Sequence, residues 1–268
     1  MKISVVTPSY NQGSFIRRTI ESVLTQTHEN VEYIIVDGDS EDETRSILES
    51  YRSQLTHLVI EPDAGQADAL KKGFELATGD ILCYLNSDDV FLPNALQWVN
   101  NYFLQNSSVD AVYTDRIFLD QEDRLLGFWI LPPHNSYLMS RWDFIPQETC
   151  FWRKELMYVS GGIDKSFAFA MDYDLFVRMM KKGAFKHVSR FTAAFRVHAE
   201  SKTSSLYESV GRPEVERVRR EQEIHLNWLD KKVLKAAFGL TIFGTSKLYA
   251  LVKLGLGKRE VRLEEFSR

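Results

Sequence analysis

Four short apolar runs in the first hundred residues, each ending in a polar cluster, constrain the fold of this chain more than any other feature. ISVVTP, VEYIIVD, HLVIE and ILCYL read as strands, and helical patterns lie between them. Ser14 to Thr27 repeats Ile16, Ile20, Val23 and Leu24 at helical spacing. Ser40-Glu41-Asp42-Glu43 reads as a capping box ahead of Ile47, Leu48 and Tyr51, and Gln66 to Thr78 is closed by Gly79. Pro93 stands where the first turn of another helix is expected. Such alternation predicts an α/β fold built on a mostly parallel sheet with helices on both faces. Ligands of such sheets sit beyond the carboxyl ends of the strands. At those ends the chain puts Thr7-Pro8-Ser9-Tyr10-Asn11, Asp37-Gly38-Asp39, Glu61-Pro62-Asp63 and Asn86-Ser87-Asp88-Asp89.

After about residue 110 the pattern changes. DAVYTD and IFLDQEDRLLGFW suggest a strand and then a hairpin turning at Gln121 to Arg124. ETCFWRKELMYVSGG reads as a strand and a short helix ended by Gly161 and Gly162. Asp172 to Lys182 reads as a helix with Gly183 at its C′ position, and strands follow at FKHV and AAFRVH. From Ser204 onward the chain reads as helical. No linker or repeat is visible, so one domain over 1–203 with a C-terminal helical extension over 204–268 is expected.

Asp88 and Asp89 stand side by side, and two adjacent carboxylates repel and resist desolvation unless something compensates them. Water is one answer; a divalent metal is another. A net charge of −4 gives no footprint for nucleic acid. The two cysteines, Cys83 and Cys150, lie in apolar surroundings and read as buried thiols suited to a reducing compartment. No secretory signal or spanning segment is visible, so a cytoplasmic location is expected. A nicotinamide enzyme would need G-x-G-x-x-G in the first turn, whereas the chain has PSYNQGSF there, with Pro8 and Tyr10 in the way. There is no Walker lysine and no nucleophile elbow. A bound pyrophosphate would then be neutralised by a metal held on carboxylates.

Five blocks carry a resemblance: SVVTPSYNQGSFIRRTIESVLTQT, IIVDGDSEDET, EPDAGQADALKKGFELATGDILCYLNSDD, IPQETCFWRKELMYVSGGID and FAMDYDLFVRMMKKG. In this order and spacing the chain resembles the family 2 glycosyltransferases over roughly residues 1–200. The resemblance implies a GT-A fold, with a Rossmann-like nucleotide-sugar half (1–115) fused to an acceptor-binding half (116–203) around one sheet. It implies an inverting transfer from a nucleotide-diphosphate sugar, with UDP the expected nucleotide, to a hydroxyl of a glycan or lipid-linked saccharide for a cell-surface polymer.

On that resemblance Thr7, Pro8, Ser9, Tyr10, Asp37, Asp63 and Gln66 would form the nucleoside pocket. Asp88 would reach the ribose or the metal, and Asp89 would ligate Mn²⁺ or Mg²⁺ on the diphosphate. Asp172 would be the base that deprotonates the acceptor, with Asp174 structural; as plain helix caps, both would merely satisfy backbone donors. His198 would approach the metal or serve as a structural hydrogen-bonder. Gln147, Glu148 and Thr149 would face the acceptor. Two departures stand out. Gly38 occupies a position where many relatives carry a second acid, and Met171 replaces the glutamate that often precedes the base. No Gln-x-x-Arg-Trp stretch follows Asp172, so single addition is expected. Between Lys231 and Arg262 lie eight basic residues and one acid, Glu260. That tail suits peripheral contact with an anionic membrane surface, or packing on the domain or a second subunit. The non-enzymatic alternative is an inactive sugar-nucleotide or glycan-binding module.

Overall fold

A computed structural model of the chain describes residues 1–198, 206–228, 230 and 232. The four expected strands form and run parallel in the order β3 (His57–Ile60), β2 (Val31–Asp37), β1 (Ile3–Ser9), β4 (Ile81–Tyr84). Both faces of this half-sheet are covered, which is why its strands are apolar throughout. Ile3, Val5, Tyr33 and Ile35 pack against α1 (Ile16–Leu24) and α2 (Thr44–Tyr51). Val6, Ile34 and Val36 pack against α3 (Gln66–Leu76). Gly73 allows α3 to lie this close, because a Cβ there would fall 2.4 Å from Val6 Cγ1.

Two local expectations fail for identifiable reasons. The capping box is absent: Ser40 gives its hydroxyl and backbone N–H to Asp37, both at 2.8 Å, and α2 starts only at Thr44. Pro93 is not the first residue of α4 (Ala95–Gln105); Asn94 intervenes in a left-handed conformation with φ 62°.

The sheet then continues across the second half in the order β4, β8 (Cys150–Arg153), β6 (Ala111–Leu119), β9 (Phe185–Arg196), β5 (Val90–Phe91), and β7 (Leu125–Trp129) adds a hairpin to β6. The two runs expected at FKHV and AAFRVH are one strand with an irregular register. At that irregularity the buried Asp115 carboxylate accepts from Leu131 N and Ser189 Oγ, with His187 Nε2 2.8 Å away. Helices α5 (Ser136–Arg141), α6 (Lys154–Val159) and α7 (Met171–Met180) cover this half. Gly183 does not take the left-handed C′ role expected of it. It permits a close approach instead, since a Cβ there would meet Leu156 Cδ1 at 2.7 Å.

After a π-helical turn, Tyr207–Gly211, α8 (Arg212–Glu221) buries Val215 and Val218 in the same core as α7. Directly beyond α8 the helical expectation fails, with a turn at Gln222 and Glu223, the latter at φ 57°, and irregular chain over 224–227. The basic tail from residue 231, and its membrane contact, lie outside the described residues apart from Lys232. Among the described residues no helix is long and apolar enough to cross a membrane. Cys83 and Cys150 are free and buried, and burial pushes both thiols up from their usual range.

Candidate active site

Two cavities open at the carboxyl ends of the strands. The first, about 540 Å³, lies where the chain turns from β1 to β2 on one side and β4 on the other. It is lined by Pro8, Ser9, Tyr10, Gln12, Gly38, Asp63, Gln66, Asn86 and Asp88, so most of the residues expected around a nucleoside converge. Ser9 Oγ and Gln12 Oε1 are buried there without a hydrogen-bond partner. Gly38, in place of an acid, leaves room for Asp63: a Cβ at 38 would stand 2.9 Å from Asp63 Oδ2. Asp63 is braced by Gly65 N–H, 2.7 Å from its Oδ1.

Two expected members do not line it. Thr7 alternates to the opposite face of β1, where its hydroxyl lies 3.2 Å from Tyr33 Oη. Asp37 is fully buried, with both oxygens committed to Ser40.

The acidic pair divides in two. Asp88 lines the first cavity, and its Oδ2 lies 2.9 Å from Nε2 of the buried His198. Asp89 points inward. Its Oδ1 accepts from Arg196 N at 3.0 Å, and its Oδ2 is buried without a partner. Burial, with the carboxylates of Asp88 and Glu148 nearby, pushes the Asp89 carboxyl well above its usual range. Arg196 knits this corner together. Its Nε donates to Asp88 O at 2.8 Å, its Nη1 donates to Asp120 O and pairs with Asp123, and its guanidinium lies over the Phe15 ring. Nothing in the sequence marked Arg196 for this task, because its partners come from three separate segments.

Asp88 Oδ2 and His198 Nε2, 2.9 Å apart, are a carboxylate oxygen and an imidazole nitrogen, donor types that suit Mn²⁺. Asp89 Oδ2, on the next residue, is buried and unpartnered. Among the described residues no group of three such side chains forms a ready-made metal site. Two side-chain donors would leave most of a cation's ligand positions to other groups.

The second cavity, about 500 Å³, shares Gln66, Asn86 and Phe195 with the first. Three side-chain amides run through the shared wall. Gln66 Nε2 donates to Asn86 Oδ1 (2.7 Å), Asn86 Nδ2 to Gln147 Oε1 (3.0 Å), and Gln147 Nε2 to Tyr84 O (2.5 Å). Trp129, Trp142 and Phe169 give the cavity aromatic walls, and Asp143, Glu148 and Asp172 give it three carboxylates. Glu148 is committed to a bidentate pair with Arg116, 2.6 Å on each arm. Thr149 is fully buried, bonded to Thr114 and Pro146 carbonyls, and does not line the cavity.

Asp172 sits in the first turn of α7, where Tyr173 N donates to its Oδ1 at 2.9 Å. Burial raises its carboxyl above the usual range, and burial together with Asp172 raises Asp143. Asp143 was not anticipated. Its only sequence signal was its place four residues before Gln147. Asp174 is structural, paired with Arg178 at 2.6 Å. Tyr207, Val215 and Arg219 also line this cavity, so the boundary expected at 203 cuts through its wall.

The Glycosyl transferase family 2 profile matches residues 4–157. An uncharacterized glycosyltransferase of Nostoc sp. is 35% identical over 129 residues, 47% of this chain and 40% of that protein. The Escherichia coli protein WfgD, a UDP-Glc:α-D-GlcNAc-diphosphoundecaprenol β-1,3-glucosyltransferase, is 31% identical over 136 residues, 50% of this chain and 53% of its own. The chain thus spans about half the length of these curated relatives. Among solved structures, Staphylococcus aureus TarS residues 1–349 with UDP-GlcNAc superposes with a TM-score of 0.66 at 19% identity, covering 95% of this chain and 77% of that one. The architecture is the GT-A fold, and the chain belongs to glycosyl transferase family 2.

Proposed function

We propose that the chain moves a sugar, with inversion, from a UDP-sugar to a hydroxyl of a glycan or lipid-linked saccharide in cell-surface polysaccharide synthesis. One observation carries the reading: two cavities meet at a common wall, with Asp88 and His198 on one side and Asp172 on the other. WfgD, whose name gives a UDP-sugar donor and a diphosphoundecaprenol acceptor, supports the choice of substrates.

In this mechanism the nucleoside lies over Pro8, Ser9 and Tyr10, and the unpartnered Ser9 hydroxyl and Gln12 carbonyl find partners on it. Asp88 and His198, rather than Asp89, would hold Mn²⁺ or Mg²⁺, and the ion would supply positive charge to offset that on a departing diphosphate. The amides of Gln66, Asn86 and Gln147 orient the sugar at the wall. Asp172 accepts the proton of the acceptor hydroxyl as its oxygen attacks the anomeric carbon opposite the leaving group. Its raised proton affinity suits that task, and a positioned base contributes on the order of a hundred- to ten-thousand-fold.

Thermal shift against UDP, GDP, CDP and dTDP, each with and without Mn²⁺, tests the donor side. Transfer by wild type and Asp172→Asn tests the acceptor side. Stabilisation by UDP with Mn²⁺, and transfer lost in Asp172→Asn, are expected. If no nucleotide stabilises the protein under any condition, the transferase reading gives way to the binding module.

A further inference from the structure

Glu214 lies on α8, outside the segment matched by the family profile. Its carboxylate accepts three consecutive backbone N–H groups: Ala168 on Oε1 at 2.8 Å, and Phe169 and Ala170 on Oε2 at 2.8 and 2.9 Å. Ala170 immediately precedes α7 and offers no side-chain cap. The first N–H groups of a helix and its approach lack partners of their own, and a carboxylate is the strongest acceptor for them. Here that acceptor comes from 44 residues further along the chain.

The rest of α8 is fixed to the same stretch. Val215 and Val218 are buried in the core, and Arg217 Nη2 donates to Ser166 Oγ at 2.9 Å while its guanidinium lies 4.2 Å from the centre of the Phe167 ring. Gly211 lets Phe169 close in: a Cβ there would meet the ring at 2.8 Å. Phe169, the middle anchored residue, and Asp172, two residues beyond the last of them, both line the acceptor cavity.

We infer that Glu214 is a positioning residue for the acceptor side: by clamping residues 168–170 it sets where the Asp172 carboxylate and the Phe169 ring stand. The inference rests on Asp172 being the base. It assigns to α8 a part in the chemistry as well as in the packing.

The test compares Glu214→Ala and Glu214→Gln with Val218→Ala, a core change on the same helix, and with Asp172→Asn. A displacement of about 1 Å at a reacting group can cost on the order of a hundredfold in rate. Glu214→Ala is therefore expected to lower kcat roughly 10- to 100-fold, with donor KM and the thermal shift by UDP unchanged. Glu214→Gln, which keeps one acceptor oxygen, should fall between it and wild type, and serves alone if the alanine variant does not fold. Val218→Ala should lower Tm without that loss of kcat. Equal kcat in Glu214→Gln and wild type, or losses in the Glu214 variants that merely follow Tm as in Val218→Ala, would overturn the inference. Retained transfer in Asp172→Asn would instead overturn the base assignment beneath it.

Discussion

Alanine at position 89 and alanine at position 88 should produce opposite phenotypes. The Asp89 carboxylate is buried and accepts the Arg196 N–H. Its removal leaves that donor unsatisfied, which costs about 1–3 kcal/mol. For a chain of this size, about 2–4 °C of Tm accompanies each kcal/mol, so Asp89→Ala should melt roughly 2–12 °C below wild type without ligand. Among the described residues Asp88→Ala gives up one hydrogen bond, to His198, and because Asp88 lines the open cavity water can take its place. The loss is therefore about 0.5–1.5 kcal/mol, and the variant should melt closer to wild type. With UDP and Mn²⁺ at about a hundred times Kd, wild type gains about 2.7 kcal/mol, or roughly 5–11 °C. Asp89→Ala should keep most of that gain, whereas Asp88→Ala should lose it. Differential scanning fluorimetry on the three proteins, with and without ligands, reads both effects at once. A full ligand shift in Asp88→Ala, beside a normal unliganded Tm and no shift in Asp89→Ala, would refute the division of labour read from the geometry.

Three further outcomes are expected. Gly38→Ala puts a methyl 2.9 Å from Asp63 Oδ2, so titration calorimetry should show weakened UDP binding while the fold is retained. Burial raises the Asp172 carboxyl above the ordinary carboxylate range, and as the proposed base it would have to be ionised, so the acid limb of the kcat–pH profile should lie above that range. Burial raises Glu32, but hydrogen bonds from Lys2, Ser4 and Thr78 outweigh it and bring the group from 4.5 to about 2. A depressed carboxylate stabilises the fold above its unfolded value and loses that contribution as pH falls from 4.5 toward about 2. Urea denaturation of Glu32→Gln at pH 7 should show a loss on the order of 1–3 kcal/mol that narrows below that window.

The parallel half was legible in the sequence because strands covered on both faces are apolar throughout and polar only where they end. Those ends identified the first cavity. Which end residues enter it was not legible: Thr7 and Pro8 are neighbours, yet strand alternation sends the Thr7 hydroxyl to Tyr33. Asp37 looked free and is consumed by Ser40, whose own expected role as a cap was lost for the same reason. The division between Asp88 and Asp89 depends on β9, more than a hundred residues away, bringing Arg196 and His198 to the same corner. The acceptor side was less legible still. Asp172 carried a motif, but Asp143, Arg219 and the Glu214 clamp are joined only by tertiary contacts, which local periodicity does not encode.

β4 is bonded to β1 on one edge and, through Ile81↔Arg153 and Leu82↔Trp152, to β8 on the other. Rotating one half of the molecule against the other would break these ladders, so the sheet acts as a ruler between Asp88 and Asp172. The span is fixed when the chain folds, before either substrate arrives. On the proposed mechanism a donor would then be selected by length as well as by chemistry: with its nucleoside seated, its diphosphate and sugar would have to reach just far enough to present the anomeric carbon at the shared wall.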